Sequence, residues 1–143
     1  MPETVFWDTA AFVALGNRDD ELHLEAVSVS QELATQRAFI ITTDAVLTEV
    51  VNTFSRAAWH PVAQHLVESV RTSAVLELAE VVHVDAELWQ RGWQLFLGRS
   101  DKDWSLTDCI SFVVMQERSL TQAFTSDRHF EQAGFVRLMR RGP

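Results

Sequence analysis

Short apolar runs alternate with stretches of helical periodicity along most of this chain. Runs rich in β-branched and aromatic residues predict five strands, at residues 4–7, 39–41, 81–84, 123–125 and 135–139. Apolar positions three and four apart predict helices at residues 10–15, 19–37, 62–72, 85–97, 107–117 and 128–133, and one more after Asp44 whose stripe runs from Leu47 to Ala58. This alternation favours an α/β fold with a small, mostly parallel sheet.

Length and composition fit one folded domain spanning residues 1–143. Hydrophobic residues make up 47% of the chain, with nine Phe and five Trp, so material for a core is ample. No apolar run approaches the roughly 20 residues that span a bilayer, and the N-terminus lacks the pattern of a signal peptide. Cys109, the single cysteine, excludes an intrachain disulfide and a cysteine-based zinc cluster. We therefore expect a cytoplasmic protein without a membrane segment.

The charge balance narrows the class of function. Twelve basic and twenty acidic residues give a net charge of −8, which argues against nucleic-acid binding by bulk electrostatics but allows acids that serve as metal ligands. Lys102 is the one lysine. The C-terminal segment is locally basic, with Arg128, Arg137, Arg140 and Arg141. These arginines could contact phosphates, together with Arg99, or they could form a solvated tail.

Four acids far apart in sequence fall near one edge of the predicted sheet. Asp8 directly follows the first strand, and Asp127 lies just past the fourth. Glu49 is one and a half turns into the helix after the second strand, and Asp108 begins the helix after a polar loop. Because chemistry in open parallel sheets gathers beyond the carboxyl ends of the strands, these positions predict a shared acidic pocket.

A structural interpretation competes at each of these positions. Asp is a favoured helix N-cap, worth roughly 1 kcal/mol, and we interpret Asp44 and Asp85 as caps. Ser105 and Asp108 also match a capping box. However, Asp108 shares a helix face with Phe112 and Met115, and an ionised carboxylate that points inward is costly unless it is paired or metal-bound. That orientation requires a partner.

Other chemistry-bearing residues carry weaker signals. The five histidines, His129 among them, match no metal-binding motif and are assigned surface or capping roles. We interpret Cys109 as a small core residue. Trp89 and Trp93 lie four apart on a helix, which favours a core or dimer stripe over base stacking.

Four segments of the chain resemble the motifs of the PIN domain family, and within it the VapC-type toxins of toxin–antitoxin pairs. They are residues 6–12 (FWDTAAF), 47–52 (LTEVVN), 105–112 (SLTDCISF) and 123–130 (AFTSDRHF), the last followed by Gly134 and Phe135. The resemblance covers nearly the whole chain.

The resemblance implies a three-layer α/β/α sandwich and a metal-dependent endoribonuclease, the toxin of a VapBC-type system. Asp8, Glu49, Asp108 and Asp127 would form the catalytic and metal-binding pocket for Mg²⁺ or Mn²⁺. The implied partners are an RNA substrate, a cognate antitoxin protein and a second copy of the chain in a homodimer. Asp101 and Asp103 add acids to the loop before Asp108, and their roles stay open.

The residue types suit this chemistry. Clustered carboxylates repel one another, and a hard divalent cation with oxygen ligands relieves that repulsion. We assign Asp8 and Asp108 as direct ligands, and Glu49 and Asp127 as direct or water-mediated ones, with Glu49 also able to orient or deprotonate the attacking water. The alternative is a non-catalytic PIN-like module that acts through protein contacts. A receiver-like phosphoacceptor or a haloacid-dehalogenase-like phosphatase would need an acid that Thr9 and Ala10 do not supply.

Overall fold

The computed structural model describes residues 3–140, in which five parallel strands lie between two layers of helices. The strands are β1 (Thr4–Trp7), β2 (Phe39–Thr43), β3 (Ala79–Val82), β4 (Gln122–Phe124) and β5 (Val136–Arg137). The helices are α1 (Thr9–Gly16), α2 (His23–Thr35), α3 (Asp44–Thr53), α4 (His60–Val75), α5 (Ala86–Gly98), α6 (Leu106–Glu117) and α7 (Arg128–Gln132), with a 3-10 helix at Ala57–Trp59 before α4.

The order of the strands, β3-β2-β1-β4-β5, divides the helices between the two faces of the sheet. Connections between parallel strands are right-handed, so the crossovers from β1 to β3 place α1–α4 on one face, and the return to β4 and β5 places α5–α7 on the other. The α/β class and the three-layer arrangement are confirmed. The chain reverses its direction of travel between β1 and β4, and a crevice opens at the carboxyl ends of these two strands.

The core fills both sides of the central strand. Val5 and Phe6 in β1 are fully buried, as are Phe112 and Phe130 of the second helical layer. The rings of Phe112 and Phe130 meet edge-on with centroids 4.9 Å apart, and Phe130 also contacts Phe6. Because α7 is short, this packing of Phe130 against the sheet is what fixes the position of its N-terminus beside the crevice.

Several element boundaries differ from the predictions because periodicity alone does not show where burial stops. The apolar stripe of α3 ends at Phe54, and Ala57 and Ala58 are exposed in the 3-10 helix instead of continuing the helix. Because neither alanine side chain is buried, no tertiary packing holds these residues in a continuation of α3. The helix predicted from residue 19 begins at His23, and β3 lies two residues earlier than predicted.

One predicted cap is wrong and the other is confirmed. The N-cap of α3 is Thr43, whose hydroxyl accepts from the Val46 N–H at 3.1 Å. Asp44 instead accepts from the Val84 N–H and lies 2.6 Å from His83 Nδ1, so it ties α3 to the segment after β3. Asp85 caps α5 through the Leu88 N–H.

The outer helix α5 presents an aromatic stripe to the surface. The rings of Trp89, Trp93 and Phe96 stack in succession, and Trp89 keeps 44% of its surface exposed. The opposite face of α5 packs on α6 through Leu88 and Gly92. Of the two predicted roles for the stripe, a core role is therefore wrong for Trp89. Cys109, by contrast, is buried in the core as predicted.

None of the helices formed by residues 3–140 combines the length and the hydropathy needed to cross a membrane.

Candidate active site

A cleft of about 510 Å³ opens at the crevice between β1 and β4. Six carboxylates line it, and no Arg or Lys side chain of the described part of the chain does. They are Asp8, Asp20, Glu49, Asp103, Asp108 and Asp127. All four acids that the sequence analysis selected are thus brought to one place, although they come from four different segments of the fold.

Asp8 is the most deeply buried of these acids. It stands at the N-cap position of α1, yet its side chain makes no capping bond and instead accepts from the Thr125 hydroxyl at 2.8 Å. Burial, reinforced by the neighbouring Asp108 and Asp127, raises the pKa of Asp8 from 3.8 to about 7, although the bond from Thr125 opposes the change. A carboxylate held this way gains strongly from a cation.

Asp108 is fixed by a capping box and by a histidine. Its Oδ2 accepts from the Ser105 N–H at 3.1 Å while its own N–H donates to the Ser105 hydroxyl, and the same Oδ2 lies 3.0 Å from His129 Nδ1. Burial raises the pKa of Asp108, and the Asp127 charge adds to this, whereas the contacts with Ser105 and His129 lower it. The inward carboxylate therefore has the partner that the sequence pattern requires.

Asp127 caps α7 and is held in a tightly bonded loop. Its Oδ1 accepts from the His129 N–H at 2.8 Å, and its own N–H donates to the Thr125 hydroxyl at 3.0 Å. Arg137 supports this loop from beneath, because it is buried, pairs with Glu131 and donates to the Ser126 carbonyl at 2.7 Å. Arg137 is therefore neither a solvated tail residue nor free to bind phosphate.

Glu49 reaches the cleft from α3, which lies on the other face of the sheet from α6 and α7. The Thr9 hydroxyl donates to Glu49 Oε1 at 2.6 Å and so connects α3 to the start of α1. Glu49 is half-buried, less enclosed than Asp8 or Asp108. A carboxylate at the mouth of the cleft has access to water that the two deeper acids lack.

Some of the charged residues predicted near this site line the cleft and others do not. Asp103 lines the cleft, whereas Asp101 forms a two-bond ion pair with Arg99, whose guanidinium lies 4.9 Å from the ring centre of Trp104. Neither Arg99 nor Arg128 lines the cleft. Arg141 lies outside the described residues.

His129, for which the sequence predicts a surface or capping role, lies at the cleft beside two of its acids. Its Nδ1 lies 3.0 Å from Asp108 and 3.3 Å from Asp127, and the three side chains can each offer one ligand atom within 4.8 Å of the others. Sequence reasoning searched for histidines paired with histidines, and it missed one that follows an acid by two residues at a helix start. Asp20 was missed as well, because the sequence predicts a helix from residue 19 that would include it, whereas it lies at the cleft in the turn before α2.

The donor set fits a divalent metal ion. Carboxylate oxygens with one imidazole nitrogen, lacking a cationic side chain to balance them, match the ligands of Mg²⁺ or Mn²⁺. Asp108, Asp127 and His129 can each offer a ligand atom within 4.8 Å of the others, and Asp8 and Glu49 line the same cleft.

The sequence and the fold of this chain are similar to those of known proteins. The family model described as "PIN domain" matches residues 5–136. The chain belongs to the PIN domain family. The matched range of this PIN domain runs from β1 to the start of β5 and includes every acid of the cleft.

This PIN domain is strongly similar to a toxin endonuclease. The PIN domain is 30% identical over 132 residues to "23S rRNA-specific endonuclease VapC20" of two Mycobacterium tuberculosis strains, CDC 1551 and H37Rv, which covers 92% of this chain and 95% of the relative. The crystal structure of M. tuberculosis VapC20, described as a "Sarcin-Ricin loop cleaving toxin", superimposes with a TM-score of 0.78 at 28% identity, over 93% of this chain and 97% of the other.

Proposed function

We propose that this PIN domain is a metal-dependent endoribonuclease, the toxin of a VapBC-type toxin–antitoxin pair. The observation that carries the proposal is the convergence of six carboxylates in a cleft that no Arg or Lys side chain of the described residues lines. The similarity to VapC20, a toxin whose name gives it as a 23S rRNA endonuclease, supports the same reaction class. RNA phosphodiesters are thus the proposed substrate, with 23S rRNA as the first to test.

In this proposal Asp8 and Asp108 are direct ligands of Mg²⁺ or Mn²⁺, and Asp127 is a direct or water-mediated one. A bound divalent ion would lower the pKa of a water and stabilise the charge that develops on the phosphodiester. The chain's own contribution is to hold these oxygens in place, through Thr125 at Asp8 and through Ser105 at Asp108.

Glu49 is proposed to orient the attacking water and to accept its proton. Its position in the outer part of the cleft leaves a carboxylate oxygen within reach of solvent, and the bond from Thr9 restricts its rotamers. General bases of this kind act on a water within hydrogen-bond distance. Asp103 lines the same cleft and adds to its negative charge.

Two protein partners complete the proposal. A cognate antitoxin would neutralise the toxin, as the VapC-type resemblance implies. A second copy of the chain would form a homodimer, and the exposed stripe of Trp89, Phe96 and Leu97 on α5 supports a surface for it. Soluble monomers seldom leave stacked aromatic side chains uncovered.

The proposal is tested by RNA cleavage. Purified protein is incubated with total RNA and with 23S rRNA in Mg²⁺, in Mn²⁺ and in excess chelator, beside the variants Asp108→Asn and Asp101→Asn. We expect defined cuts with metal, none with chelator, and a loss of at least about a hundredfold for Asp108→Asn, since several kcal/mol of stabilisation are removed. Asp101→Asn, an acid outside the cleft, should keep wild-type activity. Full activity in chelator, or in Asp108→Asn, would refute the proposal.

A further inference from the structure

We propose that His129 is a direct nitrogen ligand of the metal in the cleft and that it makes the site prefer Mn²⁺ to Mg²⁺. This inference rests on the proposed function, because it concerns the same metal site, and it selects between two ions that the acids alone do not distinguish.

His129 Nδ1 lies close to both neighbouring acids, 3.0 Å from Asp108 Oδ2 and 3.3 Å from Asp127 Oδ1. An octahedral ion with bonds of about 2.1 Å has adjacent ligand atoms about 3.0 Å apart. The two distances from the nitrogen to the carboxylate oxygens are therefore close to two edges of one face of such an octahedron. Ligand atoms of all three residues lie within 4.8 Å of one another, so modest side-chain movement brings them around one ion.

The backbone of His129 is firmly held beside the two acids. His129 lies in the first turn of α7, where its backbone N–H donates to Asp127 Oδ1, and the next residue, Phe130, is packed in the core against Phe112. The backbone therefore cannot carry the imidazole away from the two carboxylates without breaking core packing. A ligand whose backbone is fixed in advance loses less conformational entropy when it binds.

The imidazole nitrogen also changes which metal ion the site favours. Mg²⁺ favours oxygen and keeps its water ligands, whereas imidazole favours first-row transition ions. One nitrogen among carboxylates leaves the site able to hold either ion but shifts the balance towards the transition metal. The other histidine beside a carboxylate, His83, lies 2.6 Å from Asp44 but on the exposed surface after β3, away from the cleft.

The test combines metal affinity with a spectroscopic signature of the ligand atom. Mn²⁺ and Mg²⁺ are each titrated calorimetrically into metal-free wild type, His129→Gln and the matched control His83→Gln. Electron spin-echo envelope modulation of the Mn²⁺ complexes then reports whether a nitrogen is bound directly, and ¹⁵N-histidine labelling identifies it as imidazole. Circular dichroism confirms that the variants are folded.

We expect wild type and His83→Gln to show directly bound nitrogen and to bind Mn²⁺ more tightly than Mg²⁺. His129→Gln should lose the nitrogen signal and at least about tenfold in Mn²⁺ affinity, with a smaller loss for Mg²⁺. Mn²⁺ binding without a nitrogen signal, or an unchanged signal in His129→Gln, would overturn this inference and leave the proposed function intact. Failure of wild type to bind either ion, together with cleavage in chelator, would overturn both.

Discussion

The Thr125 hydroxyl donates to Asp8 Oδ2 at 2.8 Å, a bond between residues 117 positions apart in the sequence. The same hydroxyl oxygen accepts the Asp127 N–H at 3.0 Å. Thr125 is completely buried, so neither bond competes with water. One side chain thus fixes the acid that follows β1 relative to the acid that follows β4, across the crevice where the proposed metal binds.

Replacing Thr125 by Val should therefore weaken metal binding more than it disturbs the fold. Val preserves the shape but leaves Asp8 without its donor and the Asp127 N–H without its acceptor, and loss of such a supporting bond costs about 10- to 100-fold in metal affinity. Thr125→Ser, which keeps the hydroxyl, is the control and should bind within a few-fold of wild type. Calorimetric titration with Mg²⁺ measures both. Equal affinity of the Val and Ser variants would show that Thr125 does not position the acids.

The stability of the metal-free protein should fall as the pH rises from about 4 to about 7. Asp8 has a pKa of about 7 in the folded chain against 3.8 ordinarily, so in this window the folded state binds more protons than the unfolded state. The contribution of protonated Asp8 to the free energy of unfolding is complete below pH 3.8, and it is lost as the pH rises through about 7. It amounts to about 4 kcal/mol at most, at about 1.4 kcal/mol for each unit of pKa. The raised pKa of Asp108 acts in the same direction.

Urea unfolding in chelator at pH 5 and pH 8 checks this dependence. Asp8→Asn mimics the protonated acid, so it should be more stable than wild type at pH 8 and should show a flatter pH profile. Added Mg²⁺ should stabilise wild type and not Asp8→Asn. A wild-type chain that is more stable at pH 8 than at pH 5 without metal would contradict the assignment of a buried, raised-pKa acid at position 8.

Much of this arrangement was accessible from the sequence, and the missing part has a physical reason. The order of elements and the four acids follow from short-range patterns: a buried run ending in Asp8, or a capping box at Ser105 and Asp108. Thr125 and His129 were not found as site residues because their roles depend on contacts 117 and 21 residues away. Their own neighbours in sequence fit an ordinary strand end and helix start.

The same limit applies to helix surfaces. The spacing of Trp89 and Trp93 predicts one shared stripe, but whether that stripe faces the core depends on what lies across from α5. Gly92 and Leu88 take the core side, which turns the Trp side chains outward. The periodicity of the sequence predicts that a stripe exists, but it does not predict which element of the fold packs against the stripe.

Gly92 should be intolerant of even a methyl group. A Cβ at this position would lie 2.4 Å from Ile110 Cγ1 and 3.3 Å from the Ile110 backbone, where α5 and α6 pack closely. Gly92→Ala should lower the free energy of unfolding by about 1–2 kcal/mol, since overpacking outweighs the gain in helix propensity. Gly98→Ala, where a Cβ meets no atom within 4 Å, is the control and should be neutral or slightly stabilising. Chemical denaturation of both variants decides the matter, and an unaffected Gly92→Ala would mean that the two helices are not closely packed.

The proposed homodimer makes a prediction about the α5 stripe. Trp89→Glu places a charge among stacked aromatic rings and should convert a dimer to a monomer at micromolar concentration, because desolvating the new carboxylate is costly. Light scattering coupled to gel filtration measures the mass. The control is Leu24→Glu, an 81% exposed apolar residue on α2, which should remain dimeric. A wild type that is monomeric throughout, or a Trp89→Glu variant that stays dimeric, would remove α5 as the interface.

We propose that acids from four segments of the chain hold a divalent ion in one cleft, and anomalous diffraction from crystals soaked in Mn²⁺ is the sharpest test of this arrangement. We expect an anomalous peak between the carboxylates of Asp8 and Asp108, about 2.1 Å from an oxygen of each, that is absent from Asp8→Asn crystals. An empty cleft at saturating Mn²⁺, or a peak bound elsewhere on the protein, would contradict it.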